Sequence, residues 1–275
     1  MIDDGVGAQR AAPLQSTTVR YRATLAYDGT RYDGFQRQVS GIPTIQAAVE
    51  EAIAQVTAQA VTVIGAGRTD TGVHAAGQVI AFDVAWKHSS DALLQAINAV
   101  LPDDIALQNL AKVQQAASGE IVPGERGFHP RFDAVSRVYK YTVYPAAQRN
   151  PLLRNSVWHV RASLDGEALQ QAAALLFGEH DFGAFGKPPQ GENTVRKVMR
   201  SEWASDGNLL IYHIEANAFL QHMVRRIVGM LVTVGRGAMT VSEFEAIFQR
   251  GEIVAKAPLA PPQGLVLEQV KYPSE

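Results

Sequence analysis

Residues 65–77 read Gly65-Ala66-Gly67-Arg68-Thr69-Asp70-Thr71-Gly72-Val73-His74-Ala75-Ala76-Gly77. They join a β-branched run at 61–64 to a second strand-like run at 78–84, so the stretch is a loop between two strands. Its four glycines allow turns that a Cβ forbids and let a bulky ligand come close. Arg68 and Asp70 sit in the middle of it. A loop aspartate often does no more than accept backbone N–H bonds from its own turn. Two nucleotide readings of the loop fail. A Walker loop ends in Gly-Lys-Ser/Thr, which is absent, and a dinucleotide fingerprint needs glycine at position 70, where an aspartate would repel phosphate.

Outward from the loop, strands and helices alternate in both halves of the chain. Residues 20–27 alternate as a first strand, and Thr44 caps a helix whose Ile45, Ala48, Val49, Ala52, Ile53 and Val56 share one face. A helix at 90–100 ends at Pro102, a strand follows at 105–113, and 118–127 reads as a surface loop. Residues 136–144 form a strand. Then come a helix at 165–177 stopped by Gly178 and a long loop at 182–194. Strands at 195–204 and 208–216 are joined by Asp206-Gly207, a two-residue hairpin signal. A helix is expected at 218–234, and Thr240 with Glu243 forms a capping box for another at 241–250. The last strand covers about 265–271. The pattern is α+β, with two lobes, 19–134 and 135–275, sharing a sheet. Residues 1–18 have no periodicity and are expected to be disordered.

Composition narrows the function. The absence of cysteine removes disulfides, thiolate metal sites and a thiol nucleophile, and suits a reducing cytoplasm. There is no apolar run long enough to span a membrane. The net charge of -2 is a poor sign for an RNA enzyme, yet net charge is not the field at one face. Arginines outnumber lysines 18 to 7, and a guanidinium suits planar phosphate contacts and base stacking. Arg31, Arg37, Arg68, Arg137, Lys140, Arg225 and Arg226 flank the motifs described next, which suggests a basic cleft on an acidic body. His74 and His222 each stand alone, with no partner at metal-ligand spacing, and read as structural histidines.

The run Gly67-Arg68-Thr69-Asp70-Thr71-Gly72-Val73-His74 resembles the active-site loop of the tRNA pseudouridine synthase A family. Four further segments resemble that family in order. They are Tyr27-Asp28-Gly29-Thr30 with Gly34-Phe35-Gln36-Arg37-Gln38, Phe128-His129-Pro130-Arg131-Phe132 with Ser136-Arg137-Val138-Tyr139-Lys140-Tyr141, the stretch 217–229, and the stretch 260–267. Phe35 stands where the family usually has tryptophan, and the loop at 114–127 is longer. The resemblance implies the pseudouridine synthase fold: a mixed, mostly antiparallel sheet flanked by helices, with a central catalytic cleft. It implies isomerisation of uridine to pseudouridine at positions 38, 39 and/or 40 of the tRNA anticodon stem-loop, by a homodimer, with no cofactor and no metal.

For the site, the resemblance implies that Asp70 is catalytic, Arg68 fills the gap left by the flipped base, Tyr139 lies against the uracil and Leu265 borders it. The carboxylate could attack the ribose or the ring, or stabilise positive charge on the sugar. Arg225, in an apolar helix, needs a carboxylate partner if it faces inward, and Asp70 is the candidate, held in a bidentate pair. The competing function is RNA binding or remodelling without catalysis, which would use the arginines and tyrosines but give no reason for Asp70. A nucleoside hydrolase using Asp70, releasing free uracil, is the other alternative.

Overall fold

The computed structural model describes residues 17–39, 41–113, 127–188, 191–252 and 258–273. The expected disorder of 1–18 and the surface loop at 118–127 therefore fall almost wholly outside the described residues. One ten-stranded sheet runs through the chain. Its strands are β1 (Val19–Tyr27), β2 (Ile64–Gly65), β3 (His74–Val84), β4 (Ile105–Val113), β5 (Ser136–Pro145), β6 (Trp158–Val160), β7 (Gly178–Asp181), β8 (Val195–Asp206), β9 (Leu209–Ala216) and β10 (Leu265–Lys271). The order across the sheet is β4-β1-β3-β10-β5-β9-β8-β7, with β2 on β3 and β6 on β5. Among the described residues, only β3–β10 and β5–β6 pair in parallel.

The last strand in sequence is thus central in space. β10 lies between β3, with Val266 opposite His74 and Leu267 opposite Ala75, and β5, with Leu265 opposite Tyr141 and Leu267 opposite Tyr139. Strands from the two ends of the chain are stitched there. The closeness of that seam explains Gly77, where a Cβ would overlap the Glu268 carbonyl oxygen.

Helices α1 (Ile45–Thr57), α2 (Ser90–Asn98), α3 (Gly166–Ala174), α4 (Met223–Gly235) and α5 (Val241–Arg250) flank the sheet. Thr44 caps α1 by accepting from the Ala47 amide, and Ile45, Val49, Ala52 and Ile53 are buried, as their spacing requires. Both halves of the Thr240/Glu243 capping box form at α5. α1 packs on α2 and α2 on β4, while α3, α4 and α5 pack on one another with α3 against β8. α4 is apolar nearly all round, with Ile227, Val228, Met230, Leu231 and Val232 buried, as befits a helix in the middle of such a cluster.

Several boundaries differ from the sequence expectation, each because a distant partner decides. β2 pairs over only two residues, Ile64 and Gly65, with Ala81 and Ile80. β3 starts at His74 rather than 78, because β10 supplies hydrogen-bonding partners there. β6 and β7 are short strands at residues to which local pattern assigns no element. α4 starts at Met223, not 218. Asn217 accepts the Lys197 and Ala218 amides on its side chain and Arg137 on its carbonyl, and these bonds hold residues 217–222 out of the helix.

Candidate active site

The loop between β2 and β3 is tied down at almost every residue. Ala66 N donates to Val79 O at 2.8 Å, and the buried Gln78 amide donates to Gly67 O at 2.8 Å. Thr69 shares a 2.8 Å hydrogen bond with the buried Tyr27 hydroxyl, and its carbonyl accepts from Phe35 N. Gly72 N donates to Tyr32 O, and Val73 N donates to Asp70 O at 3.1 Å, closing the turn. Of the four glycines, only Gly72 (φ 75°) uses the left-handed region. A Cβ at Gly65 would strike the Phe35 ring and one at Gly77 the Glu268 backbone, so those two make room for protein. Gly67 has open space beside it and is the position that leaves room for a ligand.

Asp70 projects from this rigid loop into a cleft of about 770 Å³. Arg225 Nη1 donates to Asp70 Oδ2 at 3.0 Å. The expected bidentate pair does not form: this is the single hydrogen bond between the two side chains, and Arg225 Nε donates to Ala260 O at 2.8 Å. The guanidinium is forked between the aspartate and the segment that leads into β10. His222 Nε2 stands 3.6 Å from the same Asp70 oxygen.

Tyr139 and Leu265 also line the cleft, from adjacent strands. Tyr139 is 9% exposed and meets the Phe219 ring edge-on at 5.0 Å. Burial pushes its hydroxyl pKa up to about 12; Arg137 pulls it down and Asp70 pushes it further up. Its neighbour Tyr141 is fully buried and donates to Pro261 O at 2.7 Å, so it is sheet packing. Leu267 is core, whereas Leu265 faces the cleft.

Arg68 is exposed beside Asp70 and donates from Nε to Gln36 Oε1 at 3.1 Å. Gln36 in turn donates to Gln46, which bonds Glu50 inside α1. The loop arginine is thereby anchored to a helix. Of the seven basic residues flagged in the sequence, Arg68, Arg137 and Arg225 line the cleft. Arg31, Arg37 and Lys140 pair elsewhere with Asp104, Glu50 and Glu268, and Arg226 donates to Phe185 O. Arg131, which lies within a quoted motif but outside the list of flagged basic residues, and Arg196, which no motif includes, join the cleft. Burial lowers the pKa of Arg196, and its Nε is buried without a partner among the described residues. Arg137 donates to the carbonyls of Ala66, Arg131 and Asn217, clamping the Asp70 loop to two other segments. Among the described lining residues, five arginines face two carboxylates, Asp33 and Asp70.

Comparison with known proteins decides the family. A family description, tRNA pseudouridine synthase, matches residues 23–117 and 172–273. The chain belongs to the tRNA pseudouridine synthase family. A tRNA pseudouridine synthase A from Neisseria gonorrhoeae is 40% identical over 92% of each chain. Proteins of the same name from Methylacidiphilum infernorum and Chloroflexus aurantiacus are 38% and 42% identical, over 95% and 90% of this chain and 99% and 87% of theirs. The α+β architecture with its mixed sheet fits the fold of this family of isomerases, which act on uridine in tRNA. Among the described residues no group of His, Asp and Glu could hold a metal ion, and no helix is long and apolar enough to cross a membrane.

Proposed function

We propose that this member of the tRNA pseudouridine synthase family acts on uridines 38, 39 and/or 40 of the anticodon stem-loop, with Asp70 as its nucleophile. The supporting observation is the carboxylate itself. Asp70 stands on a loop that its own backbone bonds make rigid, ion-paired to Arg225, in a cleft otherwise dominated by arginine. A surface built only to bind a polyanion gains nothing from that charge.

In this reading the uridine leaves its stack, which costs a few kcal/mol, and Arg68 fills the vacated place. The uracil lies between Tyr139 and Leu265. Asp70 assists cleavage of the bond from N1 to the ribose, the base turns, and C5 bonds to the same ribose carbon. The proton on C5 is lost and N1 gains one, so the product is an isomer and no oxidant or reductant enters. A neutral Tyr139 hydroxyl, kept protonated by burial, donates a hydrogen bond and does not act as a strong base.

The resemblance to the family also carries the homodimer, the cytoplasmic location and the division into lobes 19–134 and 135–275, which would form the two walls of the cleft. The deciding experiment is reaction of the pure protein with unmodified tRNA, followed by chemical mapping of pseudouridine. Product at 38–40 supports the proposal. Product elsewhere in the tRNA overturns the position, release of free uracil points to hydrolysis, and binding without product removes catalysis. Sedimentation of the same sample reads the oligomeric state.

A further inference from the structure

Two groups from the start of α4 converge on one oxygen of Asp70: Arg225 Nη1 at 3.0 Å and His222 Nε2 at 3.6 Å, both on Oδ2. Among the described residues, Oδ1 accepts no hydrogen bond, and the one side-chain hydrogen bond to this carboxylate falls on Oδ2. His222 has an unusual backbone. It is the residue before the helix, at φ 63° and ψ 6°, and its side chain makes no bond to the helix it precedes. Of the described non-glycine residues only Ala58 and Asn109 share that sign of φ. A left-handed backbone is strained for a residue with a Cβ, and strain of this kind gathers where a side chain has a task.

His74 shows what a structural histidine looks like in this protein. Gly29 N donates to its Nδ1, and its Nε2 meets Asn155 O at 2.7 Å. His222 has no such bonds among the described residues, is 30% exposed, and lines the cleft.

We propose that His222 is a positioning residue for Asp70, sharing Oδ2 with Arg225 so that Oδ1 is the oxygen presented to the substrate. The separation of 3.6 Å is longer than a hydrogen bond, and catalytic contacts of this kind tighten when substrate closes the site. With both cation-capable groups on Oδ2, rotation of the carboxylate would cost two contacts at once. The inference rests on Asp70 being the reactive carboxylate.

The test uses two substitutions that suit the backbone. His222→Asn tolerates the left-handed conformation but is too short to reach Asp70, and His222→Gly removes both strain and side chain. Both variants are expected to melt no lower than the wild type and to bind tRNA within about threefold, while kcat falls about tenfold to a hundredfold, the cost of a misplaced reacting group. Imidazole added to the glycine variant should recover several-fold of the lost kcat. Wild-type kcat in both variants overturns the proposal, as does a loss that imidazole leaves unchanged or that tracks an equal loss of tRNA affinity or melting temperature. Asp70→Asn is assayed beside them. Turnover there would overturn the site reading itself, whereas an inert Asp70→Asn with a fully active His222→Asn overturns only the role of His222.

Discussion

Arg225 reaches Asp70 across 155 residues of chain through a single hydrogen bond from Nη1, while its Nε is held by Ala260 O. Ala260 N donates back to Arg225 O, so α4, the segment before β10 and the Asp70 loop are locked at one point. Arg225→Lys keeps the charge, but one ammonium cannot span both acceptors in that geometry. It is expected to fold, bind tRNA and turn over at least about tenfold more slowly. Arg225→Ala loses both bonds and should also lower stability by about 1–3 kcal/mol. Steady-state kinetics and thermal melts on the two variants separate these effects.

Replacing the carboxylate tests the chemistry directly. Asp70→Asn should abolish pseudouridine formation while tRNA affinity stays within about tenfold, roughly 1.4 kcal/mol. Removing a negative charge from a cleft that binds a polyanion gives no reason for weaker binding. Mass analysis of the variant must exclude deamidation back to aspartate. Real turnover by the pure Asp70→Asn protein would end the nucleophile assignment.

Tyr139 offers a separable pair of variants. Tyr139→Phe keeps the ring that meets Phe219 and would face the uracil; Tyr139→Leu loses it, with binding weaker by about 1–3 kcal/mol. If the hydroxyl helps move a proton, the Phe variant binds normally and reacts slowly. The sign of its pH effect is set by burial. With a folded-state pKa raised to about 12, the group's contribution to stability is fully present below pH about 10 and lost as pH rises towards 12. A phenolate absorbance difference between wild type and Tyr139→Phe should therefore titrate near 12.

The loop carrying Asp70, the tyrosine strand, α1 with its cap and the α5 capping box are all legible in the sequence, since each is specified by neighbours a few residues apart. What is not legible depends on distant partners. The αL turn at His222 follows from side-chain bonds of Asn217 to another strand, and an unbroken apolar pattern hides it. Arg131 and Arg196 enter the cleft because the sheet brings separate segments together, while Arg31 and Arg37 leave it through carboxylates on other elements. One sequence signal points to His222: it is a histidine three residues before the arginine expected to meet Asp70.

The arginine-rich cleft makes a prediction about salt. Contacts to several phosphates should make tRNA affinity fall steeply and log-linearly with ionic strength, although the whole chain carries a net charge of -2. Arg196→Gln should weaken binding about equally for all tRNAs and flatten that slope, because it removes one cation with no carboxylate partner among the described residues. Filter-binding titrations at several salt concentrations read both quantities. A flat dependence would favour a small nucleoside as substrate.

Two of the four glycines around Asp70, Gly67 and Gly77, should respond differently to a single added methyl. Gly77→Ala puts a Cβ into the Glu268 backbone, where β10 already carries an irregularity between Leu267 and Gln269. β10 must shift, at a cost of about 1–3 kcal/mol for overpacking. Leu265 begins the same strand, and Pro262, just before it, lies beside Gly72 of the Asp70 loop. The shift should therefore lower kcat as well as the melting temperature. Gly67→Ala meets nothing within 4 Å and needs no left-handed backbone, so its stability should stay within about 0.5 kcal/mol of the wild type. If that open space admits the flipped nucleotide, Gly67→Ala raises KM for tRNA with the fold intact. Equal melting temperatures for the two alanine variants would contradict the tight seam between β3 and β10, and an unchanged KM at Gly67→Ala would place the nucleotide elsewhere in the cleft.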